Sequence, residues 1–515
     1  MKSTFRLLMG LAVGLVPALP AGAGRLADSL GLDSDVVQQE GGYTCVPLPP
    51  PPPPAQHSGA EGMPPLPLPA VPLRRTEKKN PPRPPVLIAK IATADKGDWA
   101  TNPGDTENLL RWMAETLDVH FSSMNLPEDQ IPADPREIPV LYRTGHEAFA
   151  FSPAVRERLR AYLLGGGTLI LDACCGRRAF VESALTEMEQ LLPERPPYLL
   201  TLDHPVFHSF HDIKPADIRY RPWARKAGAE DGVPAIVGID IECRTAVFFF
   251  RWDVSCGWDA LADSDRHHCL GHETDCSRIL GANLMAYLTA ERSAAIPLSK
   301  ALDFADAARD RSGKFVIAQG KYGGQWKTRS AGLGMLLNAF HEQTQTPVRF
   351  ERDELPLDSA RLFDVPFLYL TGHQDFELTD RERRNLREYV TRGGLIFAEA
   401  CCGREGFDAA LRRELAAIFP GAELAAIPPT HPVFLFPNAL AAVQPRPALA
   451  RRLGVGDAIA PVLFGLNVDS RLGVVYSPVG LACGWELADC PHCCGLAAND
   501  ALALGVNILT HAITE

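Results

Sequence analysis

The sequence predicts two tandem α/β domains, each built on a doubly wound parallel sheet and set behind a Pro-rich linker. Motifs that recur at one fixed offset, apolar strand-length runs alternating with amphipathic helices, and a block of proline confined to one stretch carry that prediction. Leu141-Tyr142-Arg143-Thr144-Gly145-His146 returns as Leu368-Tyr369-Leu370-Thr371-Gly372-His373, and Ala173-Cys174-Cys175-Gly176 returns as Ala400-Cys401-Cys402-Gly403. His204-Pro205-Val206-Phe207 returns as His431-Pro432-Val433-Phe434, and Cys256-Gly257-Trp258-Asp259 as Cys483-Gly484-Trp485-Glu486. The separation is 227 residues throughout, shortening to 224 where His268-Cys269 meets His492-Cys493. A repeat of this regularity means a duplicated domain, here spanning 84–291 and 313–515 with a connector at 292–312.

The elements follow in chain order. Lys2 and Arg6 precede an apolar run from Leu7 to Leu19 and an Ala21-Gly22-Ala23 cleavage pattern, which predicts a signal peptide over 1–23. Pro17 and Pro20 near the end of so short a run argue against a membrane span, and none follows later in the chain. Residues 24–83 are expected to be a disordered linker, since 47–85 hold 16 of the 45 prolines and such a run cannot pack a core. Within each copy, Val86–Ile91 and Phe315–Ala318 read as strands, Asn108–Thr116 and Leu333–Glu342 as helices, and Pro139–Tyr142 and Pro366–Leu370 as the next strands. The following helices are well signalled. Ser152-Pro153 suits an N-cap and first helical residue, and Thr379 with Glu382 has capping-box spacing. Both helices end at Gly166-Gly167 and Gly393-Gly394, and the apolar runs Thr168–Ala173 and Leu395–Ala400 suit central strands covered on both faces. Ile236–Ile241 and Ala246–Phe250 read as an added β ribbon, and helices at Arg278–Thr289 and Ala501–Ile513 close the copies.

The formal net charge of −11 repels phosphate, which argues against nucleic acid and anionic membranes as partners. Export places the 13 cysteines in an oxidising compartment. Cys174-Cys175 and Cys401-Cys402 follow the central strand, His146 and His373 the strand before it, and His204 and His431 the strand after it. Ligands sit beyond the carboxyl ends of such strands. Three readings stay open. Cys174, Cys175, Cys256 and Cys269, matched by Cys401, Cys402, Cys483 and Cys493, can form structural disulfides. His268, Cys269, His492 and Cys493 can serve a metal such as zinc. Cys174 or Cys401 can be a thiol nucleophile with His146 and His204, or His373 and His431, as base. Adjacent cysteines at a strand end are expected to face opposite ways, which weighs against one shared active site.

The order Gly97-Asp98-Trp99 or Gly324-Gln325-Trp326, Leu386-Arg387-Glu388-Tyr389 leading to Gly393-Gly394, His-Pro-Val-Phe, Gly-Trp-Asp or Gly-Trp-Glu, and Leu-Gly-x-Asn resembles the bacterial domain of unknown function 4159 family, in both copies. The resemblance implies a flavodoxin-like sheet of the class I glutamine amidotransferase-like kind, without implying amidotransferase activity. The Cys pair lacks the Gly two residues before the nucleophile of an amidotransferase elbow, and no acid stands two residues after His204. The expectation is therefore an exported, periplasmic or extracellular, non-catalytic protein that binds a ligand or partner outside the cytoplasm. A Cys-dependent amidase and a metal or redox site built from the shared Cys and His are the alternatives.

Overall fold

The computed structural model describes residues 30, 84–93, 98–259, 268–295, 313–329, 331–456, 458–488 and 490–514. The expected signal peptide, nearly all of the linker and Cys45 lie outside them. Leu30 falls within the expected linker yet is fully buried on the first domain, where its carbonyl accepts a hydrogen bond from Arg251 Nε at 3.1 Å.

The first copy contributes β1 (Val86–Ala92), β2 (Ser122–Pro127), β3 (Val140–Gly145), β4 (Thr168–Ala173), β5 (Tyr198–Leu199), β6 (Ile236–Ile241) and β7 (Arg244–Phe250). The second contributes β8 (Ile317–Lys321), β9 (Asp353–Pro356), β10 (Phe367–Gly372), β11 (Leu395–Ala400), β12 (Ala425–Ala426), β13 (Phe464–Val468) and β14 (Arg471–Ser477). The sheets run β2-β1-β3-β4-β7-β6-β5 and β9-β8-β10-β11-β14-β13-β12. Five neighbouring strands of each pair in parallel, and β6 and β13 run antiparallel to both of their neighbours. The expected parallel sheet is thus a mostly parallel one. The expected ribbon is also not an appendage: β7 and β14 enter the sheet beside β4 and β11. Their apolar runs explain it, since every residue of β7 is buried and only a central strand has both faces covered.

Helices lie over both faces, and each sheet has an apolar core on either side. One core of the first copy gathers Tyr142, Phe248 and Trp258, the other Tyr162, Phe180 and Phe249. Ser152 Oγ caps the helix Pro153–Leu164, and Thr379 and Glu382 form the capping box of the helix Asp380–Thr391. Each of these helices carries a tyrosine whose ring lies over the second glycine of its terminator. A Cβ on Gly167 would overlap the ring of Tyr162, and one on Gly394 the ring of Tyr389. The Tyr-to-Gly-Gly pattern is therefore a packing device that launches the central strand.

The copies stack head to tail. The turn between β6 and β7 lies at the amino edge of the first sheet, and it docks on the carboxyl edge of the second. Asp240 near the end of β6 reaches His373, and Cys243 in this turn reaches Cys401 and Cys483. Beside them, Tyr287 of the first copy stacks on His492 of the second, with ring centres 5.4 Å apart.

Candidate functional site

At the carboxyl edge of each sheet the chain makes the same sharp turn. Cys175 has φ 53° and Cys402 φ 55°, a left-handed conformation that non-glycine residues seldom adopt. The expectation that adjacent cysteines point apart fails for this reason: the left-handed step reverses the alternation, and both sulfurs join one buried cluster. The cost of such a backbone is of order 1–3 kcal/mol, tolerated where surroundings over-determine it. The next residue, Gly176 or Gly403, is left-handed too, and a Cβ there would meet the carbonyl of Leu270 or Cys494 at 2.6 and 2.7 Å. Cys-Cys-Gly is thus a single backbone device.

In the first copy the cluster is Cys174, Cys175, Cys256 and Cys269, all buried. Cys175 and Cys256 sulfurs are 3.9 Å apart, beyond the roughly 2.05 Å of a disulfide. Asp253 accepts hydrogen bonds from the backbone N–H groups of Cys175 and Cys256, and its carboxylate lies 3.1 Å from the Cys256 sulfur. Asn102 Nδ2 donates to Ser255 Oγ at 2.8 Å and faces the sulfurs of Cys174 at 3.3 Å and Cys256 at 3.6 Å. Cys174, Cys175, Asp253 and Cys256 offer ligand atoms that all lie within 4.8 Å of one another.

His146 stands at the edge of this cluster. Its Nδ1 is 3.3 Å from Asp98, whose other oxygen accepts the backbone N–H groups of His146 and Glu147. Burial disfavours the charged imidazole, but Asp98 and the Cys174 sulfur outweigh it and push His146 up to about 10. The structure therefore brings Cys174 and His146 together and adds Asp98, which sequence reasoning passed over. The signal was there: the copies differ at this place, Asp98 against Gln325.

The second cluster is larger. Cys401, Cys402, Cys483, Cys490 and Cys493 are joined by Cys243 from the first copy. Cys243 lies 3.3 Å from Cys401 and 3.5 Å from Cys483, while Cys402 and Cys483 are 3.4 Å apart. Arg329, at the position of Asn102, donates from Nε to the Cys243 sulfur at 3.0 Å and pairs with Glu486 at 3.1 Å. Glu486 also accepts the backbone N–H groups of Ala331 and Gly332 at the start of the helix Gly332–Thr344. His373 turns away from the role of His146 and faces Asp240 of the first copy at 3.4 Å.

Under each cluster lies a buried carboxylate. Asp172 accepts from Thr144 Oγ1 and the backbone N–H of Val254, and Glu399 from Tyr369 OH and the backbone N–H groups of Leu481 and Ala482. These bonds fix the segment that presents Cys256 or Cys483. Burial, then the nearby cysteine sulfurs, pushes Asp172 up to about 7; burial chiefly does the same for Glu399.

The remaining candidates lie elsewhere. His204 Nδ1 accepts from the backbone N–H of Val206, and Nε2 faces Thr245 Oγ1 at 2.9 Å. Thr245 in turn donates to Asp240 at 2.6 Å, so His204 belongs to the joint between copies. His431 caps Val433 at 3.2 Å and packs on His511. Neither stands by the cysteines of its own copy, because the His-Pro turn lies at the opposite edge of the sheet. Cys269 and Cys493 are in the clusters, but His268 is exposed and lies tilted against Trp223, and His492 stacks on Tyr287. Cys243 has Ser470 rather than a cysteine as its counterpart, and that asymmetry fits it to a joint between unlike partners. Asp253 has Gly480 as its counterpart and was equally hidden.

Among the described residues no helix is long and apolar enough to cross a membrane. No curated protein matches the chain. Residues 87–289 and 316–513 each match the family described as Domain of unknown function (DUF4159), so the chain belongs to that family and carries its domain in two tandem copies.

Proposed function

We propose that the chain is an exported, non-catalytic scaffold, in which two flavodoxin-like, amidotransferase-like domains are held as one body to bind a ligand or protein outside the cytoplasm. One observation carries the reading. The edge of the second sheet where this class of fold takes its ligands is filled by the β6–β7 turn of the first copy. That copy is thereby a dock rather than an active site. The parallel strand order β2-β1-β3-β4-β7 supports the flavodoxin-like assignment, since 2-1-3-4-5 is the order of that class. The basic and apolar opening of the chain supports export.

A second reading rests on the first copy alone. Cys174, His146 and Asp98 line up as a thiol, imidazole and carboxylate, the arrangement of a Cys hydrolase. Against it stands the burial of Cys174, which leaves no solvent-facing sulfur for a substrate. The test is to express the full chain in a bacterial host, fractionate the cells, and measure ammonia release from glutamine by wild type and Cys174→Ala. The scaffold reading expects a shortened chain in the periplasm and no release above the variant. Release that disappears in Cys174→Ala and His146→Ala establishes the hydrolase, and a full-length cytoplasmic chain overturns export.

A further inference from the structure

We propose that Cys243, Cys401, Cys402 and Cys483 bind one zinc-class ion that staples the two copies together. The four sulfurs lie within 4.8 Å of one another, with separations of 3.3, 3.4 and 3.5 Å among the closest. Zinc–sulfur bonds of about 2.3 Å arranged as a tetrahedron place their sulfurs about 3.8 Å apart, so small adjustments close the shell. A disulfide instead needs one partner at about 2.05 Å. Here Cys243 lies at nearly equal range from Cys401 and Cys483, and Cys483 at nearly equal range from Cys243 and Cys402. That is the pattern of a shared ion. The same tightness leaves no space for a cluster of several irons and sulfides.

The donors arrive from three places in the fold. Cys243 sits on the β6–β7 turn, Cys401 and Cys402 follow β11, and Cys483 follows β14. All four are buried, and the shell has no open position, which marks a structural rather than a catalytic site. Zinc displaces the thiol protons to solvent, and four thiolates around a dication carry two surplus negative charges. Arg329 answers part of that charge with its Nε hydrogen bond to the Cys243 sulfur, an outer contact of the kind that orients a ligand. The site goes beyond the scaffold reading and fails separately from it, because Asp240, His373, Tyr287 and His492 join the copies without it.

Cys243→Ser tests it in the full chain, since serine is the residue that the second copy carries at the same turn, as Ser470. Metal is counted per chain by plasma mass spectrometry after growth with zinc. The expected result is loss of one zinc equivalent relative to wild type, with Cys174→Ser in the other cluster retaining that equivalent. Cobalt loaded into the wild type gives a second reading that does not depend on a variant: intense sulfur-to-cobalt charge transfer with tetrahedral visible bands is expected. Equal zinc in wild type and Cys243→Ser overturns the site. So does a non-reduced peptide linking Cys243 to Cys401 or Cys483, or a cobalt spectrum without thiolate character.

Discussion

The two copies share a backbone to the point of repeating a left-handed cysteine, yet their carboxyl edges have diverged in polarity. The first keeps its own acid in place, Asp253, with the neutral Asn102 facing the sulfurs. The second has Gly480 and Arg329 at those positions and receives Cys243 and Asp240 from its neighbour. A duplicated domain has thus turned one inherited cleft into a socket and left the other self-contained. The difference teaches that the shared residues hold the fold and the unshared ones decide how it is used. Asp172 and Glu399 illustrate the first kind, Cys243 and Arg329 the second.

The largest expected effect lies in a device that only the first copy has. Lys90 and Asp105 form an ion pair at 2.8 Å, both almost fully buried, where the second copy carries the uncharged Gln319 and Gly332. Removing one partner strands the other charge, so Asp105→Ala is expected to lower the stability of the first domain by about 3–5 kcal/mol. Replacing both with the residues of the second copy, as Lys90→Gln with Asp105→Gly, should recover much of that loss, because no buried charge is then left without its partner. Urea unfolding of the three proteins decides it. A single variant that costs under about 1 kcal/mol would show the pair to be hydrated and the contrast between copies to be cosmetic.

The joint itself comes next. Asp240 accepts from Tyr198 OH at 2.9 Å and Thr245 Oγ1 at 2.6 Å while facing His373. Burial works against its carboxylate, but the hydrogen bonds from His373 and Thr245 hold it below the usual carboxylate range. Burial pushes His373 down from its ordinary value despite Asp240. The sign follows for both groups. A histidine with a lowered folded pKa resists protonation, so the stability it protects is whole above about pH 6.5 and falls as pH drops below that. The depressed Asp240 adds a loss in the same direction at still lower pH, below about 4. Asp240→Asn should weaken the joint by about 1.5–3 kcal/mol at neutral pH, the worth of hydrogen bonds to a charged group. Calorimetry should then show two domain transitions drawing apart, and acid should do the same to the wild type. Coincident transitions in the variant at pH 7 and in the wild type at pH 5 would mean that the copies are held by something else.

Much of this was legible in the chain. The offset of 227 residues gave the two domains, and the apolar runs gave β4 and β11 to the residue. Gly-Trp and Leu-Gly-x-Asn are also readable after the fact: Trp258 Nε1 donates to Ser277, and Asn283 holds both backbone groups of His211. What resisted was anything that crosses between copies. Periodicity reports which face of a strand is buried but not what buries it. His204 therefore looked like a partner for Cys174, when the topology puts it on the other edge of the sheet. The convergence of the paired cysteines was hidden because it depends on one positive φ, at Cys175 and at Cys402.

The smallest expected effect asks whether the joint occurs once. A head-to-tail contact is heterologous, and the same surfaces remain at the outer ends of the pair, a geometry that can propagate into fibres. Here the outer surfaces no longer match. The turn after β13 presents Ser470 and Asn467 in place of Cys243 and Asp240, and the carboxyl edge of the first copy presents Asn102 and Asp253. Ser470 is exposed. Ser470→Cys should therefore change stability by no more than about 0.5 kcal/mol, as a surface substitution does. It should add one thiol that alkylates at once in the native protein, and leave the chain monomeric in sedimentation. An introduced thiol that resists alkylation until the protein is diluted or denatured would mean that the second turn is already seated on another chain. The asymmetry between the copies would then be a preference of affinity rather than a stop, and the sequence differences at the two outer ends would need a different cause.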